Sequence, residues 1–459
     1  MVLQDANSWA TAEFGEAELC DRRRTRRLVR LAAALADSPG GTLPGVLPAG
    51  AELKAAYRLL AGPEVTRERI LQPHLARVRR ECARPGEYLL IEDSTSLDFS
   101  AHYAAADLGW IGDGGGRGLN LHTTLALRVE SWADEAPAVT ALGLFAQQVW
   151  TRHHPPRNHV ERKAERLRRA RESERWLASL AEAGRPPRGA RWTCVADREA
   201  DIYESFQRCR AAGVGFLIRA CQPRALAGES GSLFTAAAAL PRRGGLVVEL
   251  RARPGIPARR AEVELRSGAL TLRGPYRPGG RQADWTVNVV EAREVRAPPG
   301  VEPIHWVLFT SWEVPDEAAA RRVVRTYAQR WLIEEYHKAL KTGVGIERSQ
   351  LSTRARLEAL LGVLALVAVR LLNLKLLATA RPEEAVMEEL LGAEVLTVLA
   401  AKHGTPAGGW TNRTVLVGIA RLGGYRARKG DGPPGWQTIW RGWQRLVLMV
   451  QGYLLAGKD

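Results

Sequence analysis

A mixed α/β core set between helical segments is what this sequence predicts, and three patterns predict it. Two apolar runs, Tyr88–Ile91 and Trp192–Ala196, each lead into an acidic residue, as buried strands of an α/β sheet do. Between residues 245 and 300 the period becomes two: Ala261, Val263 and Leu265 alternate with Glu262, Glu264 and Arg266, and Trp285, Val287 and Val289 alternate with Thr286 and Asn288. That is an antiparallel β segment, inserted in the α/β part. On either side of these strands, apolar residues recur at helical spacing.

Taken in order, residues 1 to about 70 read as short helices. Trp9, Phe14 and Leu19 precede a basic run, Arg22, Arg23, Arg24, Arg26 and Arg27, and Leu28, Leu31 and Leu35 follow. A Gly/Pro-rich break spans 40–50, and a second helix carries Leu53, Tyr57, Arg58 and Leu60. A basic helical module of this size suits a DNA groove; it reads equally well as a solvated charged face. Further strands are expected over Leu121–Leu127, Val139–Val149, Val214–Arg219 and Trp306–Thr310. Helices are expected over 157–185, through Ile202 and Phe206, and from Asp316 to Thr342. Residues 353–459 read as helical, with an apolar helix over 357–377 and a Trp-rich end carrying Trp436, Trp440 and Trp443.

Bulk properties narrow the class. A chain of 459 residues exceeds one ordinary core, so two to four domains are expected. Hydrophobic content of 46% and charged content of 25% belong to a globular protein. The net charge of +16, from 66 Lys plus Arg against 50 Asp plus Glu, points to a polyanionic partner. High-GC codon usage accounts for the excess of Arg over Lys, but less well for the sign. Cys20, Cys82, Cys194, Cys209 and Cys221 are odd in number and contain no C-x-x-C pair, so neither a zinc ribbon nor a disulfide framework is indicated, and a reducing cytoplasm fits. Met1–Glu18 has no basic-then-apolar run, and no signal peptide is expected. The apolar stretch Ala359–Val369 is closely flanked by Glu358 and Arg370, so it reads as a buried helix too short to span a bilayer.

Chemistry-bearing residues fall at three places. Asp93 follows an apolar strand, where α/β folds put functional groups; alone, it reads more readily as a turn starter helped by Ser94 and Thr95. Asp197 opens Asp197-Arg198-Glu199-Ala200-Asp201, three carboxylates in five residues, which need a cation or Arg198 to compensate them. The plain reading is that Asp197 caps a helix. On the helix expected over 316–342, Tyr327, Arg330, Glu334 and Lys341 fall in a stripe about 60° wide. Ala328, Leu332, Tyr336, Ala339 and Leu340 lie opposite. The plain reading is an ordinary Arg330–Glu334 pair; the longer stripe suits a polyanion lying along the helix. Two strand-end aspartates and a helical glutamate form a hard-oxygen set with too few ligands to cage a cation, which suits Mg²⁺ or Mn²⁺. A cation pair there activates an attacking oxygen and stabilises a leaving one. His153, His154 and His159 read as a surface loop, and Gly112–Gly118 lacks the ending of a P-loop.

Three segments together, Ile91-Glu92-Asp93-Ser94-Thr95-Ser96-Leu97, Asp197-Arg198-Glu199-Ala200-Asp201 and Tyr327-x2-Arg330-x3-Glu334-x6-Lys341, resemble the IS-four family of bacterial insertion-sequence transposases. The resemblance implies a ribonuclease-H-like catalytic core over 71–350, with the β insertion at about 240–303. It implies a helical DNA-end-binding domain over 1–70 and a helical dimerisation domain over 351–459. Asp93, Asp197 and Glu334 are then the catalytic metal ligands for Mg²⁺, with Mn²⁺ substituting. Tyr327, Arg330 and Lys341 are implied to bind phosphate beside a flipped base, and Trp306 to stack on that base. Arg23, Arg24, Arg27 and Arg58 are implied to recognise the element's end. The partners expected are double-stranded DNA and a second copy of the chain in a synaptic complex, in the cytoplasm at the nucleoid. The implied reaction is cut-and-paste: cleavage, a hairpin intermediate, and joining of 3′-OH ends to target DNA. A non-catalytic repressor derived from a transposase, and a nuclease that does not join, remain open alternatives.

Overall fold

The structure, a computed structural model, describes residues 6–456 apart from 49, 103–104, 106, 113–114, 134, 153–181, 229–230, 251–258, 278, 381–382, 386–392 and 429–430. Most of the helix expected over 157–185, and His153, His154 and His159, lie outside the described residues.

Five helices open the chain: α1 (Ala6–Phe14), α2 (Arg22–Asp37), α3 (Leu43–Val46), α4 (Ala51–Leu60) and α5 (Arg67–Cys82). The sequence dictates the start of α2, because the Asp21 carboxylate accepts a hydrogen bond from the Arg23 N–H at 2.8 Å. Leu28, Leu31 and Leu35 then recur on one face and are buried. The Gly/Pro-rich break holds the single turn α3, with Pro44 in its first turn.

The sheet follows. Its first half comprises β1 (Gly86–Asp98), β2 (Gly109–Ile111), β3 (Gly116–Ala133), β4 (Ala136–Trp150), β5 (Ala190–Ala196), helix α6 (Tyr203–Ala212) and β6 (Gly215–Arg219). After α7 (Leu233–Ala239) come β7 (Arg242–Leu250), β8 (Arg259–Leu272), the short pair β9 (Tyr276–Arg277) and β10 (Gly280–Arg281), β11 (Trp285–Glu294) and β12 (His305–Thr310). The spatial order is β2-β3-β1-β5-β6-β12-β11-β8-β7, with β4 also on β3. β1, β3 and β4 form an antiparallel meander, and β5 and β6 run parallel to β1. This mixed sheet, with helices before and after it, is a ribonuclease-H-like core. The segment expected as an insertion is not a separate sheet. β11 pairs with β12, and β8 and β7 continue outward from it, so the alternating segment widens the central sheet.

The chain ends in α8 (Glu317–Ala328), α9 (Trp331–Lys338), α10 (Arg354–Ala380), α11 (Ala393–His403), α12 (Asn412–Leu422) and α13 (Trp436–Ala456). The single helix expected from Asp316 to Thr342 is therefore interrupted. Gln329 and Arg330 form a turn between α8 and α9, and Ala339–Gly343 is a π-helical turn. The apolar helix is also longer than the sequence implied. It extends three residues beyond the expected 357–377 at each end, and Arg370 within it places its guanidinium 5.2 Å from the Trp9 ring centroid. The stretch Arg354–Leu376 is long and apolar enough to cross a membrane, yet 78% of its most apolar window is buried in the protein. Leu357, Leu361, Leu364 and Leu366 are almost fully buried, each contributing roughly 1.5–3 kcal/mol.

Both faces of the sheet are covered, which is why the central strands read as continuous apolar runs. Leu89, Ile91 and Val195 pack with α8, α9 and α10, while Tyr88, Leu90 and Cys194 pack with α6 and α7. A third cluster joins α11, α12 and α13.

Candidate active site

The site begins at the carboxyl end of the parallel pair β1–β5. Their register ends at Glu92 opposite Ala196, so the next residues, Asp93 and Asp197, stand side by side on the face that carries Ile91 and Val195. β1 does not stop at Asp93, as the sequence implied. It runs on to Asp98 paired with β3, and only the parallel pairing ends there. One Asp93 oxygen accepts from the Ser94 N–H at 2.8 Å. Asp197 accepts from the Glu199 N–H at 2.9 Å and caps the short turn Arg198–Ala200, so it serves as a cap as well as standing beside Asp93. Burial pushes the Asp93 carboxyl up to about 7, with the Asp197 and Glu334 charges adding to the rise and Arg330 opposing it.

The third carboxylate arrives on α9. Asp316 caps α8 by accepting from the Ala319 N–H at 2.8 Å, and α8 carries the chain across the sheet towards the two aspartates. At the turn, the Arg330 guanidinium lies 3.6 Å from the Asp93 carboxylate and also hydrogen-bonds Glu334. Glu334 is half-exposed. Burial works against the Arg330 charge, but Tyr327, Glu334 and Asp93 outweigh it and hold Arg330 above the ordinary arginine range.

The other members of the expected stripe are placed less uniformly. Tyr327 is 4% exposed and belongs to the core. Its ring meets that of Trp306 edge-on at 5.2 Å, so the expected phosphate ligand is a packing partner of the expected stacking residue. Trp306 itself is half-buried on β12. Lys341 sits on the π-helical turn, 3.9 Å from Glu347. Glu347 in turn accepts from the Asp98 N–H at 2.9 Å, which ties this turn to the end of β1.

The acidic run after β5 resolves differently from the expectation. Asp201 is buried and accepts from the Cys221 and Gln222 N–H groups at 2.8 and 3.0 Å and from Arg224 Nε at 2.9 Å. The compensating cation is thus Arg224, not Arg198, and Asp201 is committed to the fold.

Among the described residues no three His, Cys, Asp or Glu side chains stand close enough together to hold a metal ion. The Arg330 guanidinium takes the place between Asp93 and Glu334 where positive charge is needed. The donor set nevertheless suits a hard divalent cation. It is three carboxylate side chains, one of them raised by burial and then by its like-charged neighbours, a cost that a cation relieves.

Two groups near the site escaped the sequence. His337 is buried on α9, and burial, then the charges of Lys341, His122 and Arg330, pull its imidazole down to about 3. Glu335, beside Glu334, is 4% exposed and bonded to Lys375 and Trp436. The signal was present: on an α-helix Glu335 falls on the apolar side with Leu332 and Ala339, where a charge needs a partner.

The basic helices near the N-terminus carry the remaining candidates. Arg23 and Arg27 are exposed on α2, and Arg58 is exposed on α4. Arg24 is engaged instead with Glu64 at 2.9 Å and with the Leu19 carbonyl at 3.1 Å.

Two family models match the chain. One, described as transposase DNA-binding, covers residues 6–65 and therefore α1 to α4. The other, described as transposase DDE domain, covers residues 146–370, including Asp197 and Glu334 and beginning after Asp93. With a match to a transposase DNA-binding domain ahead of a match to a transposase DDE domain, the chain is similar to the DDE transposases in both parts and in their order.

Proposed function

We propose that this chain is a transposase that cuts DNA at the ends of its own element and joins the freed 3′-OH ends to target DNA, with Asp93, Asp197 and Glu334 as its metal ligands. The observation that carries the reading is the adjacency of Asp93 and Asp197 at the end of β1–β5, with Glu334 near enough to raise the Asp93 carboxyl. When bound, a pair of divalent cations, Mg²⁺ with Mn²⁺ able to substitute, would activate the attacking oxygen and stabilise the leaving one. The chain's own residues do the rest. Arg330 turns from the carboxylates to the scissile phosphate, Lys341 holds the phosphate beyond it, and Trp306, backed by Tyr327, stacks on an extruded base. Arg23, Arg27 and Arg58 dock the element's end on α2 and α4, and Arg24, held by Glu64, braces α2 beneath them.

The finer reading follows the IS-four family and the transposase of transposon five: a hairpin intermediate, cut-and-paste excision, and a homodimer that synapses two ends at the nucleoid. The division at 1–70, 71–350 and 351–459 assigns end binding, catalysis and dimerisation. The exposed apolar residues Leu448, Tyr453, Leu454 and Leu455 of α13 support a protein partner there.

Glu334→Ala and Asp93→Asn, assayed on the cognate end with Mg²⁺, should lose cleavage while keeping end binding. Cleavage by Glu334→Ala at the wild-type rate ends the assignment. One observation favours the alternative of a DNA-binding repressor, namely Arg330 standing between Asp93 and Glu334. Binding without nicking by the wild-type protein in Mn²⁺ would select it.

A further inference from the structure

Helix α9 carries Glu334 but is poorly fixed by its own backbone. It has eight residues, with a turn before it and a π-helical turn after it, and helices this short are marginal without tertiary contacts. What holds its azimuth is therefore decisive. Its neighbours supply two anchors. Gln147 of β4 donates to the Tyr336 hydroxyl at 2.9 Å. On another side, Glu335 is bound by groups from two distant helices. Lys375 of α10, itself buried, donates to Glu335 Oε2, and Trp436 Nε1 of α13 donates to the same oxygen at 2.6 Å. The ammonium of Lys375 lies 4.6 Å from the Trp436 ring centroid, so the three side chains form one cluster, with exposed Lys338 3.6 Å from the other Glu335 oxygen. The next turn of α13 reaches the far end of the segment, where the Trp440 ring fills the space that a Cβ on Gly343 would need, at 3.0 Å.

We infer that Glu335, gripped by Lys375 and Trp436, is a positioning residue that aims Glu334 at Asp93, and that the last helix thereby belongs to the catalytic apparatus. This rests on the proposed role of Glu334. Consecutive helical residues point about 100° apart, so Glu335 reaches into the cluster while Glu334 faces the site. A carboxylate about 6 Å from a helix axis moves about 1 Å for each 10° of rotation. Ligand distances at a metal tolerate only about 0.2 Å, and a 1 Å misplacement costs about 10²-fold in rate. A loosened clamp therefore shows in chemistry before it shows in DNA binding.

The test uses the full chain and its cognate DNA end. Three quantities are read for each variant: the cleavage rate constant at saturating DNA, the Kd for the end, and the affinity of the protein–DNA complex for Mn²⁺ by electron paramagnetic resonance. Glu335→Gln and Lys375→Met should slow cleavage roughly 10–100-fold and weaken Mn²⁺ binding several-fold. Their Kd for the end should stay within about twofold, because no DNA contact is lost. Lys375→Arg should restore most of the rate, since it keeps charge and donors. Trp436→Phe keeps the ring and deletes one donor, so it carries the test if the charge variants fail to fold. Folded variants with wild-type rate and Mn²⁺ affinity overturn the clamp. A wild-type protein that neither cuts nor binds Mn²⁺ overturns instead the function on which the clamp depends.

Discussion

The Arg330 guanidinium stands 3.6 Å from the Asp93 carboxylate and reaches Glu334 from its other side. One positive side chain thus joins two of the three carboxylates that a divalent cation would share. A guanidinium in that position competes with a cation for the same oxygens. The competition ends when a phosphate, which accepts both arms of the fork, draws Arg330 away. Arg330→Met should therefore bind Mn²⁺ more tightly than wild type in the absence of DNA, by several-fold. The same variant should cut on the order of 10²-fold more slowly, through loss of charge stabilisation at the phosphate. Titration of free Mn²⁺ by electron paramagnetic resonance reads the first effect. An unchanged affinity without DNA removes the competition argument.

His337 makes a pH prediction with a definite sign. Its folded-state value is pulled down to about 3, against about 6.5 in an unfolded chain. The unfolded chain therefore takes up this proton first, so stability is complete above about pH 6.5 and falls as pH drops from there towards 3. The slope from this group alone is about 1.4 kcal/mol per pH unit. Urea unfolding followed between pH 7 and 4.5 should show the loss, and His337→Phe should flatten it. If the variant loses stability with acid as steeply as wild type, His337 is not the group responsible.

Asp201 separates structural from catalytic acids. Its carboxylate is fully buried against Arg224 and two backbone N–H groups. Asp201→Ala strips the largely buried Arg224 of its carboxylate, leaving it the residue-201 carbonyl at 2.7 Å, and leaves the Cys221 and Gln222 N–H groups without their acceptor, a loss of about 3 kcal/mol. Glu199→Ala, two residues before Asp201 in the same motif, changes an exposed side chain and should stay within about 0.5 kcal/mol. Thermal melts of the two variants check the contrast. Equal shifts would mean that the Arg224 pair does not hold this turn.

How far these features could be read beforehand depends on whether their cause is local. Tyr88–Ile91 and Trp192–Ala196 were legible because a strand covered on both faces must be apolar throughout, and the aspartates that follow were legible with them. The place of β7, β8 and β11 was not. Alternation tells which side of a strand is buried but not which strand lies beside it. The break between α8 and α9 carries no Pro or Gly. It shows in a run of N–H groups that bond back three residues instead of four, among them Gln329 to Thr326 at 3.0 Å, Arg330 to Tyr327 at 2.9 Å and Leu332 to Gln329 at 3.0 Å. That break is what turns Tyr327 into the core and Arg330 to the carboxylates, so a uniform helical wheel could not separate their surroundings. Arg224 and Lys375 were invisible as partners, because 23 and 40 residues separate them from Asp201 and Glu335.

The basic helices give the last prediction, and the structure divides residues that the sequence grouped together. Arg23, Arg27 and Arg58 are exposed, whereas Arg24 spends its guanidinium on Glu64 and the Leu19 carbonyl. A side chain that neutralises a phosphate releases counterions, so removing it lowers the slope of log K against log salt by about 0.9. Arg23→Ala and Arg27→Ala should each weaken end binding and lower that slope, with melting unchanged. Arg24→Ala should instead loosen the junction between α2 and the segment before α5 and lower the melting temperature, with a smaller change in slope. Binding isotherms at several salt concentrations, read beside thermal melts, test the division. A salt slope that falls equally for Arg24→Ala and Arg23→Ala, with neither melting early, would place all of them on the DNA and make the Glu64 pair a resting contact that the DNA replaces.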